Sequence, residues 1–255
     1  MPVFFFLPPL VIWLFWYVRI VTISRLASTD RDRAFLYVIP VIAMVALLLL
    51  LFGEKATTAE IGALLGHPCF VMAHFLVGVG ACAVPLVGLS PRQDVAERRN
   101  HGAGWAIGGA ILGLSLANGA AAGKFLTLRD DSFLPIVVGI SGMILFMFSW
   151  SVVEWLTGFS EAITVERDGG AALRLAAFLP LLGVSLGLAV ASRFANESLK
   201  ANCLFAGVAG LVVACSLLEA GFAKNRRPVS GPCKRDVLVA LAYLGIAGLE
   251  IVLLR

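Results

Sequence analysis

The chain has 255 residues, of which 60% are hydrophobic and only 14% charged, with a formal net charge of +4. A soluble domain carries about a quarter charged residues, so the composition excludes a water-soluble globular protein. The small basic excess reads as membrane topology, with no nucleic-acid partner implied.

The apolar residues fall into about eight blocks of roughly twenty, the length a helix needs to cross ~30 Å of hydrocarbon. Unbroken runs fit helices, which satisfy every backbone amide within one segment, and do not fit the alternating strands of a barrel. The first predicted span, Pro2 to Val21, has no basic residue ahead of its apolar run and carries Arg19 behind it. That polarity is wrong for a signal peptide. The second, Ala34 to Phe52, contains Pro40, and the third, Phe70 to Leu89, contains His74 and Cys82.

Just outside the third span lie His67 and Cys69. With Met72 and His74 they form a local set of soft ligands suited to copper, but at a spacing that matches no metal motif. His67 and His74 stand ~10 Å apart along one helix face, too far for one ion. His101 begins the fourth span, so the histidines are not at the matched depth a b-type haem requires.

The fourth span, Gly102 to Gly123, carries a four-residue ridge of Gly109, Gly113, Ala117 and Ala121, followed by Asn118 as its one intramembrane amide. Similar ridges occur in the sixth span, Ala171 to Ala191 (Gly183, Gly187, Ala191), and the seventh, Ala201 to Phe222 (Ala206, Gly210, Ala214). Ridges of this kind bring helix backbones together, either within one chain or across a homodimer face. The fifth span, Phe133 to Leu156, places Glu154 near its end; the seventh places Glu219 in its inner part, and the eighth, Val237 to Leu254, places Glu250 in its outer part. Ionisable groups inside spans are costly and are therefore site candidates.

With eight spans, 14 of the 20 lysines and arginines fall in the odd-numbered loops. The bias puts those loops in the cytoplasm and both termini outside, in a cell (inner) membrane.

The second half echoes the first in order. Phe6-Leu7-Pro8 is matched by Phe133-Leu134-Pro135, Asp30-Arg31-Asp32 by Glu166-Arg167-Asp168, Pro40 by Pro180, Cys69 and Cys82 by Cys203 and Cys215, and Asn118 by Glu250. The expected fold is thus all-α integral membrane, eight helices as two tandem parallel four-helix repeats over residues 1–125 and 126–255, related by a pseudo-two-fold axis along the membrane normal. The same register sets Glu154 opposite Arg19, where the two either close a salt bridge or extend separately to the headgroups. Asn118 and Glu250 form a polar pair at matched depth, suited to a proton or cation. Cys69 and Cys203 both open spans at the outer face and can be bridged if their helices are neighbours.

No zinc-protease His-Glu-x-x-His and no Gly-x-Ser-x-Gly elbow is present, and Gly119 to Lys124 falls one residue short of a phosphate loop. The expected function is transport of a small solute or ion through a site between the repeats. The alternative is a non-catalytic subunit of a larger membrane complex, one handling electrons or quinol, with other membrane subunits as partners besides lipid.

Overall fold

A computed structural model describes residues 7–21, 31–52, 67–126, 133–223 and 232–253, without the side chains of 19–21, 31–35, 52 and 253. Among these residues the chain is all-helical: α1 (Leu7–Val21), α2 (Arg31–Phe52), α3 (Pro68–Ala83), α4 (His101–Gly123), α5 (Leu134–Thr157), the short α6 (Phe159–Thr164), α7 (Gly169–Phe194), α8 (Ser198–Ala223) and α9 (Lys234–Leu253). A 3-10 turn, Val84–Val87, extends α3, and a π-helical segment, Pro91–Glu97, precedes α4. Five of the helical stretches are long and apolar enough to cross a membrane: Pro68–Val87, α4, α5, α7 and α8. α1 and α2 hold shorter apolar stretches, Leu7–Val18 and Leu36–Leu51.

Side chains set the helix starts. Asn100 accepts from the Ala103 amide and Asp168 from the amides of Gly170 and Ala171, so α4 and α7 each begin on a capping acceptor. His67 does the same for α3 through the Cys69 amide at 3.3 Å. Two prolines lie inside helices and each frees the carbonyl four residues back. The one freed by Pro40 belongs to Leu36, and the Trp16 indole of α1 points its N–H at it, at 3.5 Å. The one freed by Pro180 belongs to Ala176 and faces Gly109 of α4.

The helices pack as two layers of opposite direction. In one, α2, α4, α7 and α9 lie side by side in that order; in the other run α1, α3, α5 and α8. Contacts fix the directions. Gly109 meets Ala176, Gly113 meets Leu179, and Gly187 meets Ala117, so α4 and α7 run parallel. Gly142 meets Ala117 while Gly113 meets Phe146, so α5 runs against α4. The α4–α7 seam is the closest in the molecule. A Cβ on Gly113 would stand 2.6 Å from the Leu179 carbonyl oxygen, and one on Gly183 would collide with the Gly113 carbonyl. Two of the three small-residue ridges therefore pack on each other. The third does not: Ala206, Gly210 and Ala214 of α8 are exposed.

This row differs from the expected two-fold arrangement. An axis exchanging the halves would carry the α4–α7 contact onto α9 and α2, which share no comparable interface. The halves instead follow one another along the row, because the ridge of the fourth span is complementary to that of the sixth rather than to a copy of itself.

Candidate polar site in the second half

The starts of α4 and α7 share one side of the molecule, marked by the Arg167 guanidinium bonded to the Arg98 carbonyl. This basic side also holds the beginning of α9 and the end of α8. There Arg174 lies inside α7, 2% exposed, and bridges two carboxylates. Its Nε and Nη2 donate to Glu219 of α8 at 2.5 and 2.9 Å, and its Nη1 donates to Asp236 of α9. Glu219 is 3% and Asp236 6% exposed. The second Asp236 oxygen accepts from the Cys233 amide at 2.8 Å. The Arg174 and Arg235 guanidinium groups both lie over the Phe222 ring, at 3.9 and 4.3 Å from its centroid. One cation faces two carboxylates, and Asp168 at the α7 cap adds a third negative charge nearby.

The 14 loop cations of the sequence reading include Arg174, which in the structure is not a loop residue. α7 begins at Gly169, so Arg174 is in its second turn and turns inward to the carboxylates of its neighbours. Two signals in the sequence mark the cluster: an arginine flanked by Ala-Ala-Leu and Leu, and three polar residues of α9, Asp236, Tyr243 and Glu250, spaced seven apart. Sevenfold spacing keeps them on one helix face, ~10 Å from each to the next. That face lies against α7. Tyr243 is buried beside the Cys215 thiol of α8, with its ring against Phe178 of α7. Glu250, half-buried, is bonded to Ser185 of α7 at 2.7 Å. The α7–α8–α9 seam therefore carries a polar row from the Arg174 cluster through Tyr243 to Glu250.

The remaining candidates are dispersed. Glu154, at the end of α5, accepts from the Ser160 amide at 2.9 and 3.1 Å and from its hydroxyl, and so caps α6. The Arg19 side chain lies outside the described residues, and so does any contact with Glu154. Asn118 and Glu250 are not brought together. Asn118 faces α5, its amide donating to the Met143 sulfur at 3.2 Å, and it lines a cavity of about water-molecule size with Cys69, Ala73, Leu76 and Ala122. Its Oδ1 is buried without a hydrogen-bond partner. His74 is stacked on Phe70 at 6.0 Å and tilted against Trp13 at 5.4 Å, with Nδ1 buried and unpaired.

No disulfide joins Cys69, buried on α3, to Cys203, exposed on α8. Among the described residues no group of three or more His, Cys, Asp or Glu stands close enough to hold a metal ion. At the opposite side of the molecule Glu197 pairs with Lys124 at 2.5 Å and Lys200 at 3.5 Å. The Lys124 ammonium holds its carboxyl below the ordinary range. No protein-family model, no curated protein and no solved structure matches this chain.

Proposed function

We propose that the protein moves protons, or a small cation in their place, along the α7–α9 seam. The observation that carries the reading is the row of polar side chains at sevenfold spacing on α9, Asp236 and Glu250 bonded to groups on α7 and Tyr243 set between them beside Cys215 of α8. Hydrocarbon penalises such groups individually, and packing alone would be served by the leucines and alanines that fill the rest of the interface. The row joins the Arg174 cluster, with Asp236 and Glu219 as its carboxylates and Arg235 beside it, to the half-buried Glu250 carboxyl in the last turns of α9. All these groups belong to residues 126–255, so the site lies within the second four-helix unit and not between two repeats. The reading includes eight crossings, with the basic side in the cytoplasm of a cell membrane, and tandem units that succeed each other along the row.

Purified protein in phosphatidylcholine and phosphatidylglycerol liposomes, with a pH-sensitive dye inside and an imposed potential, tests the proposal. Protein-dependent acidification is expected, lost in Tyr243→Phe and Glu250→Gln and kept in Trp155→Ala, a residue 84% exposed on α5. A wild-type rate equal to that of empty liposomes, with protons and with sodium, overturns it.

A second reading is favoured by a different feature. Gly207, Gly210 and Gly221 of α8 and Gly245 and Gly248 of α9 have nothing within 4 Å where a Cβ would be. Such a face suits close approach by another membrane helix, as in a subunit of a larger complex. Co-purification of stoichiometric partner chains in mild detergent would favour that reading over transport.

A further inference from the structure

Glu250 meets Ser185 in an arrangement that specifies its proton. Ser185 Oγ lies 2.7 Å from Glu250 Oε2 and 3.0 Å from the Leu181 carbonyl oxygen. A hydroxyl has one proton, whereas a backbone carbonyl and an ionised carboxylate only accept. With Glu250 ionised, Ser185 serves one of the two and meets the other lone pair to lone pair. With Glu250 protonated, the chain closes: the carboxyl O–H donates to Ser185 Oγ, and the Ser185 O–H donates to the Leu181 carbonyl.

The surroundings point the same way. Ser185 is nine residues, ~14 Å, from the end of α7 at Phe194 and farther from its start, while Glu250 is three residues before Leu253, where α9 ends. Leu181, Leu182, Leu186 and Ala247 around it are buried. Among the described residues no cation pairs with Glu250. Toward the basic side the next ionisable groups are Tyr243 of α9, about 10 Å away, and the adjacent Cys215 of α8, with Arg174, Glu219 and Asp236 beyond them and Lys234 and Arg235 at the start of α9; toward the other side α8 carries Cys203 and Lys200, both exposed. On α7, Arg193 is exposed, eight residues past Ser185. An isolated carboxylate in hydrocarbon is far costlier than the neutral acid.

We infer that Glu250 is a proton-binding site, a neutral carboxylic acid held within the bilayer with Ser185 as its hydrogen-bond acceptor. The assignment does not rest on transport, since it is argued from hydrogen-bond geometry and burial whether or not a proton ever leaves. Glu250 is half-buried, so its outer edge is open to reagents dissolved in lipid.

The test uses the full chain in liposomes at neutral pH. Dicyclohexylcarbodiimide, a lipid-soluble reagent that attacks only protonated carboxyls, is expected to add one adduct that peptide mass mapping places on Glu250. The infrared spectrum is expected to show a protonated-carboxyl carbonyl band that disappears in Glu250→Gln. Because glutamine also donates to Ser185, that variant is expected to keep the wild-type melting midpoint. An infrared band without an adduct still supports the assignment, the reagent being then sterically excluded. Absence of the band at neutral pH, or an adduct that forms only after acidification below the usual carboxylate range, overturns it, as does a Glu250→Gln variant that melts well below wild type. None of these results depends on whether the liposomes show flux.

Discussion

Arg174 is the buried cation of its cluster, and its two carboxylate partners are not equivalent. Glu219 takes two of its N–H groups and has no other described partner, whereas Asp236 also accepts from the Cys233 amide. Replacing a buried charge harms most when what remains is unbalanced. Arg174→Gln leaves two buried carboxylates facing each other and is expected to cost ~3 to 5 kcal/mol. Glu219→Gln leaves a balanced pair and is expected to cost about 1 to 3 kcal/mol, for the hydrogen bonds it weakens. Asp236→Asn should cost least. Thermal melting in detergent gives the order, and an Asp236 variant less stable than the Arg174 variant would refute this account. Glu219 was legible from sequence because a carboxylate in an apolar run is conspicuous. Arg174 was not, since an arginine a few residues inside a span is usually near the headgroups, and only the positions of α8 and α9 decide whether it turns inward.

Among elements, α4 and α7 make the seam on which the row depends, and their closeness comes from side chains that are absent. Gly113 and Gly183 place backbone on backbone, and the carbonyl freed by Pro180 rests on Gly109. Gly183→Leu therefore has no space to enter and must separate the helices, at an expected cost of 1 to 3 kcal/mol or roughly beyond, as for an overpacked core. Gly210→Leu on α8 is the control: nothing lies within 4 Å of it, and its melting midpoint should match wild type. Equal losses in the two variants would mean that the open face of α8 is occupied in the assembled protein. Helix positions were readable because apolar length is a strong signal: each of the eight predicted blocks contains a helix, with ends displaced by a few residues. Which ridge meets which was not readable, since the three have the same small-residue composition. The added α6 was missed because its six residues depend on the Glu154 carboxylate for an N-terminal acceptor, a contact made through a turn at Gly158 and not through periodicity.

At the scale of the whole molecule, the layered row has an arithmetic of its own. Each helix after the second makes its main contacts with earlier elements close to it in the chain: α4 with α2 and α3, α5 with α3 and α4, α7 with α4 and α5, α8 with α5 and α7, α9 with α7. The first and last helices of the row never meet. A chain built this way can assemble in the order in which it is synthesised, each new segment leaving the insertion machinery to find its docking surface already in place. It need not wait for its C-terminus, as a closed ring of helices must. A nascent chain halted after Phe194 already owns both sides of the α4–α7 seam, and what later synthesis adds is the charged partner set of Arg174. Until α8 and α9 arrive, that guanidinium has no carboxylate from either helix, so the step that docks these two helices is also the one that neutralises a charge buried inside α7.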